Sequence, residues 1–122
     1  MSPVPFKPQN MSNNAGITID GGEIGRAQIL QARACNIEPH TDMNPVLLKP
    51  QSNMGSQVIV QGKVLQNCKS EYFRKLKPKF MQAVLESFNR LTDSYDIVDV
   101  DRGGSIASVV GTYNLLPENE KN

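Results

Sequence analysis

From about Ser70 to Thr92 this chain carries its longest helical signal, and that signal constrains everything around it. Phe80, Met81, Val84, Leu85, Phe88 and Leu91 fall on one face at a 3.6-residue period, so a helix here must bury an apolar stripe. Pro78 has no N–H to give to a helix interior and is predicted to divide a short first helix from a longer second one. The segments on either side read as strands. "YDIVDV" follows as one strand, "DRGGS" as a turn, and "SIASVVGTYNLL" as a final helix capped by Ser105 and ended before Pro117. The last residues, 118–122, are expected to be disordered.

Earlier in the chain, Val4–Phe6 reads as the end of a strand that prolines at 3, 5 and 8 keep short or at an edge. A polar loop is expected through Asn14. Asp20, with Glu23 three residues on, has the spacing of a capping box, so a helix is predicted to start there and run to about Cys35. Ile24, Ala27, Leu30, Ala34 and Ile37 would form its buried stripe, and Asn36 and Pro39 would stop it. Val46–Leu48 with Lys49 reads as a short strand or a tightly packed loop. "SQVIVQGKVLQN" alternates around Gln61–Gly62 as a hairpin, with Val58 and Val60 on one arm and Val64 on the other. Strands interleaved with helices give an α/β fold without internal repeats.

With 122 residues the chain is long enough for one domain. Thirteen basic and twelve acidic side chains leave a net charge of +1, which gives no electrostatic basis for nucleic acid or an anionic membrane as partner. No apolar run approaches the roughly 20 residues of a membrane span, and "MSPVPFKPQN" lacks the pattern of a signal peptide, so a cytoplasmic location is expected. Cys35 and Cys68 form neither a disulfide framework nor a zinc pattern and are read as free thiols, with a single bridge left open. Apolar residues at 39% and the absence of tryptophan make a lean core.

Several residues have chemistry to offer, each beside a plainer reading. Lys7, at the end of a strand, is a candidate phosphate or carboxylate ligand or else a solvated surface lysine. Asp20 and Glu23 could hold magnesium through one or two carboxylates, or cap the helix. "DVDRGGS" leads from an acidic strand end through two glycines to a helix start: an anion cradle with Asp101 facing a metal, or a glycine turn. His40 stands near Asp42 and Cys35 without further zinc ligands and reads as a loop histidine. No serine lies in a G-x-S-x-G elbow and neither cysteine is flanked by glycines, so nucleophilic catalysis has no support.

Taken in order, "PFKPQNM", "DGGEIGRAQ", "DMNPVLLKP" and "SQVIVQGKV" resemble the N-terminal synthetase domain of the cobyric acid synthase family, glutamine-dependent amidotransferases of cobalamin synthesis. The resemblance covers Pro5 to about Val98, and "DVDRGGSIASVVGTYNLLPE" resembles a later strand–turn–helix of the same enzymes. It implies a P-loop NTPase-like α/β fold similar to dethiobiotin synthetase, a parallel sheet with flanking helices. It implies an ATP- and Mg²⁺-dependent amidation of the b, d, e and g carboxylates of adenosylcobyrinic acid a,c-diamide, through an acyl phosphate that glutamine-derived ammonia displaces. Carried over to this chain, Lys7 lies at the transferring phosphate and carboxylate. Gln9 and Asn10 hydrogen-bond substrate, Asp20 and Glu23 lie at the magnesium or substrate end, and Asp101, Gly103 and Gly104 lie at the nucleotide.

Three family features are not found in this sequence: a strand with a G-x-x-x-x-G-K-[ST] loop before "PFKPQN", a glycine-rich acidic segment after "YDIV", and a glutaminase domain. The expectation is a partial synthetase domain over residues 1–117, lacking the P-loop strand and internally deleted near residues 98–101. Such a chain would be inactive alone, poorly soluble or partly molten, and dependent on a complementing chain for P-loop and glutaminase. The competing expectation is a non-catalytic product, degenerate or kept as an interaction module.

Overall fold

A computed structural model describes residues 3–51, 55–68 and 70–101. The fold is α/β, with eight strands and two helices among the described residues. Strand β1 (Val4–Phe6) pairs in parallel with β8 (Val98–Val100), in the register Val4 to Val98 and Phe6 to Val100. Strand β2 (Gln9–Met11) pairs in parallel with β5 (Val46–Gln51), which continues antiparallel into β6 (Gly55–Val60) and β7 (Lys63–Cys68). Strands β3 (Ala15–Ile17) and β4 (Glu23–Gly25) form a separate antiparallel pair. Parallel and antiparallel pairing are therefore mixed, where a single parallel sheet was expected.

The helices are α1 (Arg26–Ala34) and α2 (Ser70–Ser94). Helix α2 lies against β5, β6 and β7 and a 3₁₀ turn at Thr41–Met43, while α1 lies against β1, β3 and β4. The predicted face of α2 is the one buried: Phe80, Met81, Val84 and Leu91 join Val4, Phe6, Val46, Leu48 and Val58 in the core, and the Phe6 and Phe88 rings meet at 5.5 Å. Burial of such side chains contributes about 1.5–3 kcal/mol each and is the main driving force here. No helix among the described residues is long and apolar enough to cross a membrane.

The hairpin at Gln61–Gly62 is observed as expected. Both residues have positive φ, 49° and 85°, as a two-residue type I′ turn requires. Strands at Val4–Phe6, Val46–Leu48 and within "YDIVDV" also form where the sequence places them.

Four expectations are corrected. The region read as a loop through Asn14 contains β2, whose polar residues find a ladder only because β5 lies alongside. Asp20 and Glu23 do not start a helix: Asp20 lies within the β3–β4 turn, Glu23 opens β4, and α1 begins at Arg26 after Gly25, which gives no side-chain cap. The face of α1 turned to β1, β3 and β4 is that of Gln28, Ile29 and Ala32, and Ala27, Leu30 and Ala34 are exposed. Finally, α2 runs unbroken through Pro78. Pro78 itself is exposed and gives up only one helical hydrogen bond. The expected turn after Asp101, the final helix, the 118–122 tail, Gly103 and Gly104 lie outside the described residues.

Candidate functional site

Asn44 is the junction on which the N-terminal half converges. Its side chain is 1% exposed and makes three hydrogen bonds. Nδ2 donates to the carbonyls of Lys7 at 3.1 Å and Val46 at 3.0 Å, and Oδ1 accepts the Gly25 N–H at 3.0 Å. The Lys7 N–H in turn donates to the Met43 carbonyl at 2.9 Å. One amide thus fixes the segment after β1, the start of β5 and the junction of β4 with α1. Gly25 has to be glycine for a packing reason: a Cβ there would run into Nδ2 of Asn10, which is itself buried on β2. Of the residues expected at the substrate, Lys7 meets this junction through its carbonyl and Asn10 through its contact with Gly25, with Gln9 between them in sequence. Lys7 and Gln9 are partly exposed and Asn10 is buried.

Asp20 and Glu23 are engaged by different partners. Glu23 forms an ion pair with Lys49 of β5, both side chains about one-fifth exposed. The Asp20 carboxylate accepts the Thr41 hydroxyl at 2.6 Å and the Thr41 N–H at 3.3 Å. Burial pushes its pKa up, but hydrogen bonding to Thr18 and Thr41 and the nearby His40 charge outweigh this and hold it below the usual carboxylate value. Among the described residues no group of three or more His, Cys, Asp or Glu side chains could hold a metal.

Beyond Asp20 lies a charged cluster that links three elements. Asp42 is 4% exposed and accepts from Ser87 Oγ at 2.9 Å, Arg90 Nε at 2.9 Å and Arg90 Nη2 at 2.7 Å. The Asp42 carboxylate raises the Arg90 pKa further above its already high value. His40 Nδ1 accepts the Asp42 N–H at 3.1 Å, and Nε2 lies 3.5 Å from Asp20 Oδ2. His40 lies in the loop before the Thr41–Met43 turn, within 3.5 Å of carboxylate oxygens of Asp20 and Asp42. The cluster borders a cleft of about 530 Å³ with Ile19, Met43 and Tyr95 on its walls. Asp101 follows β8 and is bonded to the end of β1. Its N–H donates to the Phe6 carbonyl at 2.7 Å and its carboxylate accepts from Gln31 Nε2 at 3.4 Å, at the edge of a cavity of about 410 Å³.

Asn44, Thr41, Asp42, Lys49 and Arg90 were not singled out for these roles by sequence reasoning. Each acts across a long stretch of chain, 19 residues for Asn44 to Gly25 and 48 for Asp42 to Arg90, where local spacing carries no signal.

The chain is similar to curated cobyric acid synthases. It is 62% identical over 109 residues to that of Jannaschia sp. (strain CCS1), covering 89% of this chain and 23% of the relative. It is 63% identical over 105 residues to that of Rhodobacter capsulatus, covering 86% and 22%. The cobyric acid synthase of Brucella anthropi is 46% identical over 152 residues, 96% of this chain and 32% of the relative. Since 96% of 122 residues is about 117, about 35 of those 152 aligned positions have no counterpart here. No family model matches the chain. No solved structure matches it either. The chain spans about a quarter of the length of the Jannaschia and Rhodobacter relatives, and within that span it belongs to the cobyric acid synthase family.

Proposed function

We propose that this chain is a segment of the ATP-dependent synthetase part of a cobyric acid synthase. In that reading the whole enzyme amidates the b, d, e and g carboxylates of adenosylcobyrinic acid a,c-diamide with ATP, Mg²⁺ and glutamine-derived ammonia. The observation that carries it is the 62–63% identity over 105–109 residues, a stretch long enough to include most of the sites described above. The fold assigned is the P-loop NTPase-like arrangement of dethiobiotin synthetase, supported by the parallel β1–β8 pair and the α1 layer beside it.

Within this reading Lys7 supplies positive charge at the transferring phosphate and carboxylate, where a cation gains most as negative charge develops. The clamp of Asn44 on the Lys7 carbonyl supports the role, because it fixes the backbone from which the lysine projects. Gln9 and Asn10 offer side-chain amides to substrate. Asp20 and Glu23 lie at the magnesium or substrate end, and Asp101, Gly103 and Gly104 at the nucleotide. For Asp20 and Glu23 the partners observed, Thr41 and Lys49, also support a purely structural role.

The chain is inactive alone in this reading. Its sequence contains no G-x-x-x-x-G-K-[ST] run, so it has no loop of that kind for nucleotide phosphates. The roughly 35 unmatched positions support an internal deletion near residues 98–101. They also favour a second reading, a non-catalytic product or interaction module that keeps only the scaffold. Calorimetric titration with Mg-ATP tests the assignment. The expected result is no binding tighter than about 1 mM; tighter binding by this chain alone contradicts its incompetence. Regain of amidation on mixing with a chain that supplies P-loop and glutaminase separates the two readings.

A further inference from the structure

The charged residues of α2 are sorted toward opposite ends of the helix. From position 72 to 85 the sequence places Arg74, Lys75, Lys77 and Lys79 with no acid among them, and the three lysines are exposed. The next acid, Glu86, is seven residues beyond Lys79, outside the i,i+4 reach within which helical charges pair. Asp93 stands in the last turn, where no basic residue accompanies it and a carboxylate is at the unfavourable end of the helix dipole. Because α2 is continuous from Ser70 to Ser94, Lys77 and Asp93 lie roughly 24 Å apart along its axis, at about 1.5 Å per residue. Screening at physiological salt acts over about 8 Å. The two ends of the helix therefore do not neutralise one another within one molecule.

The acidic end is also concave. Asp93 and Glu38 line the cleft of about 530 Å³ beside Arg90. The Asp42 carboxylate already holds Arg90 through two hydrogen bonds, and His40 faces Asp20 and Asp42, so neither cation is engaged with the remaining acids of the cleft. Glu38 and Asp93 have no ion pair among the described residues. The other walls include the apolar side chains of Leu91, Tyr95 and Ile19, the last 71% exposed. A lysine suits such a place, because its four-carbon stem packs on apolar surface while its ammonium meets a carboxylate.

We propose that the chain associates head to tail with a second copy of itself, the lysines of the N-terminal half of α2 entering the cleft of Glu38 and Asp93 on the next molecule. Charge complementarity carries the choice of partner, since the exposed lysines of one copy match the unpaired carboxylates of another. The contact joins two different surfaces, so it is heterologous, and each added copy leaves one lysine face and one cleft open. A net charge of +1 sets little mutual repulsion against it. The association does not depend on the amidation reading, which the Mg-ATP titration tests separately.

Sedimentation velocity of the 122-residue chain over a concentration series tests it. Dimers and longer species are expected to grow in at low salt, and affinity should fall at least about tenfold when ionic strength shortens the screening length to about 3 Å. Two neutralised variants separate the surfaces: Glu38→Gln/Asp93→Asn keeps the lysine face, and Lys75→Gln/Lys77→Gln/Lys79→Gln keeps the cleft. Each should be monomeric alone, and an equimolar mixture should form a 1:1 dimer and nothing larger. All five side chains are exposed, so far-UV circular dichroism of both variants should match that of the unaltered chain. A monomeric unaltered chain at low salt, association indifferent to salt, undiminished assembly by either variant, or a mixture that stays monomeric would overturn the proposal. So would binding of an oligolysine peptide to a chain that does not self-associate, which would assign the cleft to a different basic partner.

Discussion

Arg90 grips the buried carboxylate of Asp42 with two nitrogens, Nε at 2.9 Å and Nη2 at 2.7 Å, and so ties α2 to the turn before β5. Removing one partner of such a pair leaves a charge stranded in the interior, which costs more than the pair itself contributes. Arg90 is half exposed, so water can partly replace it. Arg90→Met is expected to lower stability by about 2 kcal/mol in urea unfolding, below the 3–5 kcal/mol of a fully buried pair. The double variant Asp42→Asn/Arg90→Met should recover part of that loss.

Asn44 satisfies two carbonyls and one N–H from a position that excludes water. Asn44→Ala leaves all three without their partner and is expected to cost about 2–4 kcal/mol, scaled from 1–3 kcal/mol per buried unsatisfied group with some relaxation. Asn44→Asp should be at least as harmful, because a carboxylate cannot donate to the Lys7 and Val46 carbonyls. Chemical denaturation of the two variants checks the order.

Gly22 and Gly62 bring two turns into backbone contact. A Cβ at Gly22 would meet the Thr41 methyl and, at 2.9 Å, the Gly62 Cα. Backbone cannot move aside as a side-chain tip can, so Gly22→Ala is expected to cost about 1–3 kcal/mol through overpacking. Gly21 has open space around it but a φ of 80°, so Gly21→Ala should cost only about 1 kcal/mol. Thermal melts of both variants separate a packing cost from a conformational one.

Asp20 makes the chain acid-sensitive. Its folded pKa is lowered, so the stabilisation is fully present above the unfolded carboxyl pKa of about 3.9 and is lost as pH falls through the lower folded value. Melting temperature should therefore drop below about pH 4, and Asp20→Asn should flatten part of that drop. An unchanged acid limb in the variant would show that Thr41 does not stabilise the ionised form. Asp20 is about 30% exposed, so the effect is modest.

Helix α2, the β6–β7 hairpin and β5 were legible in the sequence because each carries its signal within a few residues. The apolar period of Phe80 to Leu91 and the turn chemistry of Gln61–Gly62 need no distant partner to be read. The start of α1 was not legible. Asp20 and Glu23 have capping-box spacing, but the capping bonds compete with Thr41, 21 residues away, and with Lys49, 26 residues away, and those partners win. Strand β2 was missed for a related reason: "QNM" has no strand propensity of its own and becomes a strand by pairing with β5. Pro78 shows the opposite error, since a strong local breaker was overridden by the packing of a long apolar face.

By itself the sequence determined the α/β class, the elements with strong local period and membership in the cobyric acid synthase family, which the ordered motifs from Pro5 onward carry. Only the tertiary structure decided which polar side chains meet. It joined Asn44 to Lys7, Val46 and Gly25, set Asp42 against Arg90, gave Asp20 and Glu23 different partners, and left the buried Gln28 side chain without a hydrogen-bond partner among the described residues. The physical reason is the reach of the two kinds of force. Burial of apolar surface is non-directional and is written as a local pattern, whereas a buried hydrogen bond depends on geometry between residues that are neighbours only after the chain has folded.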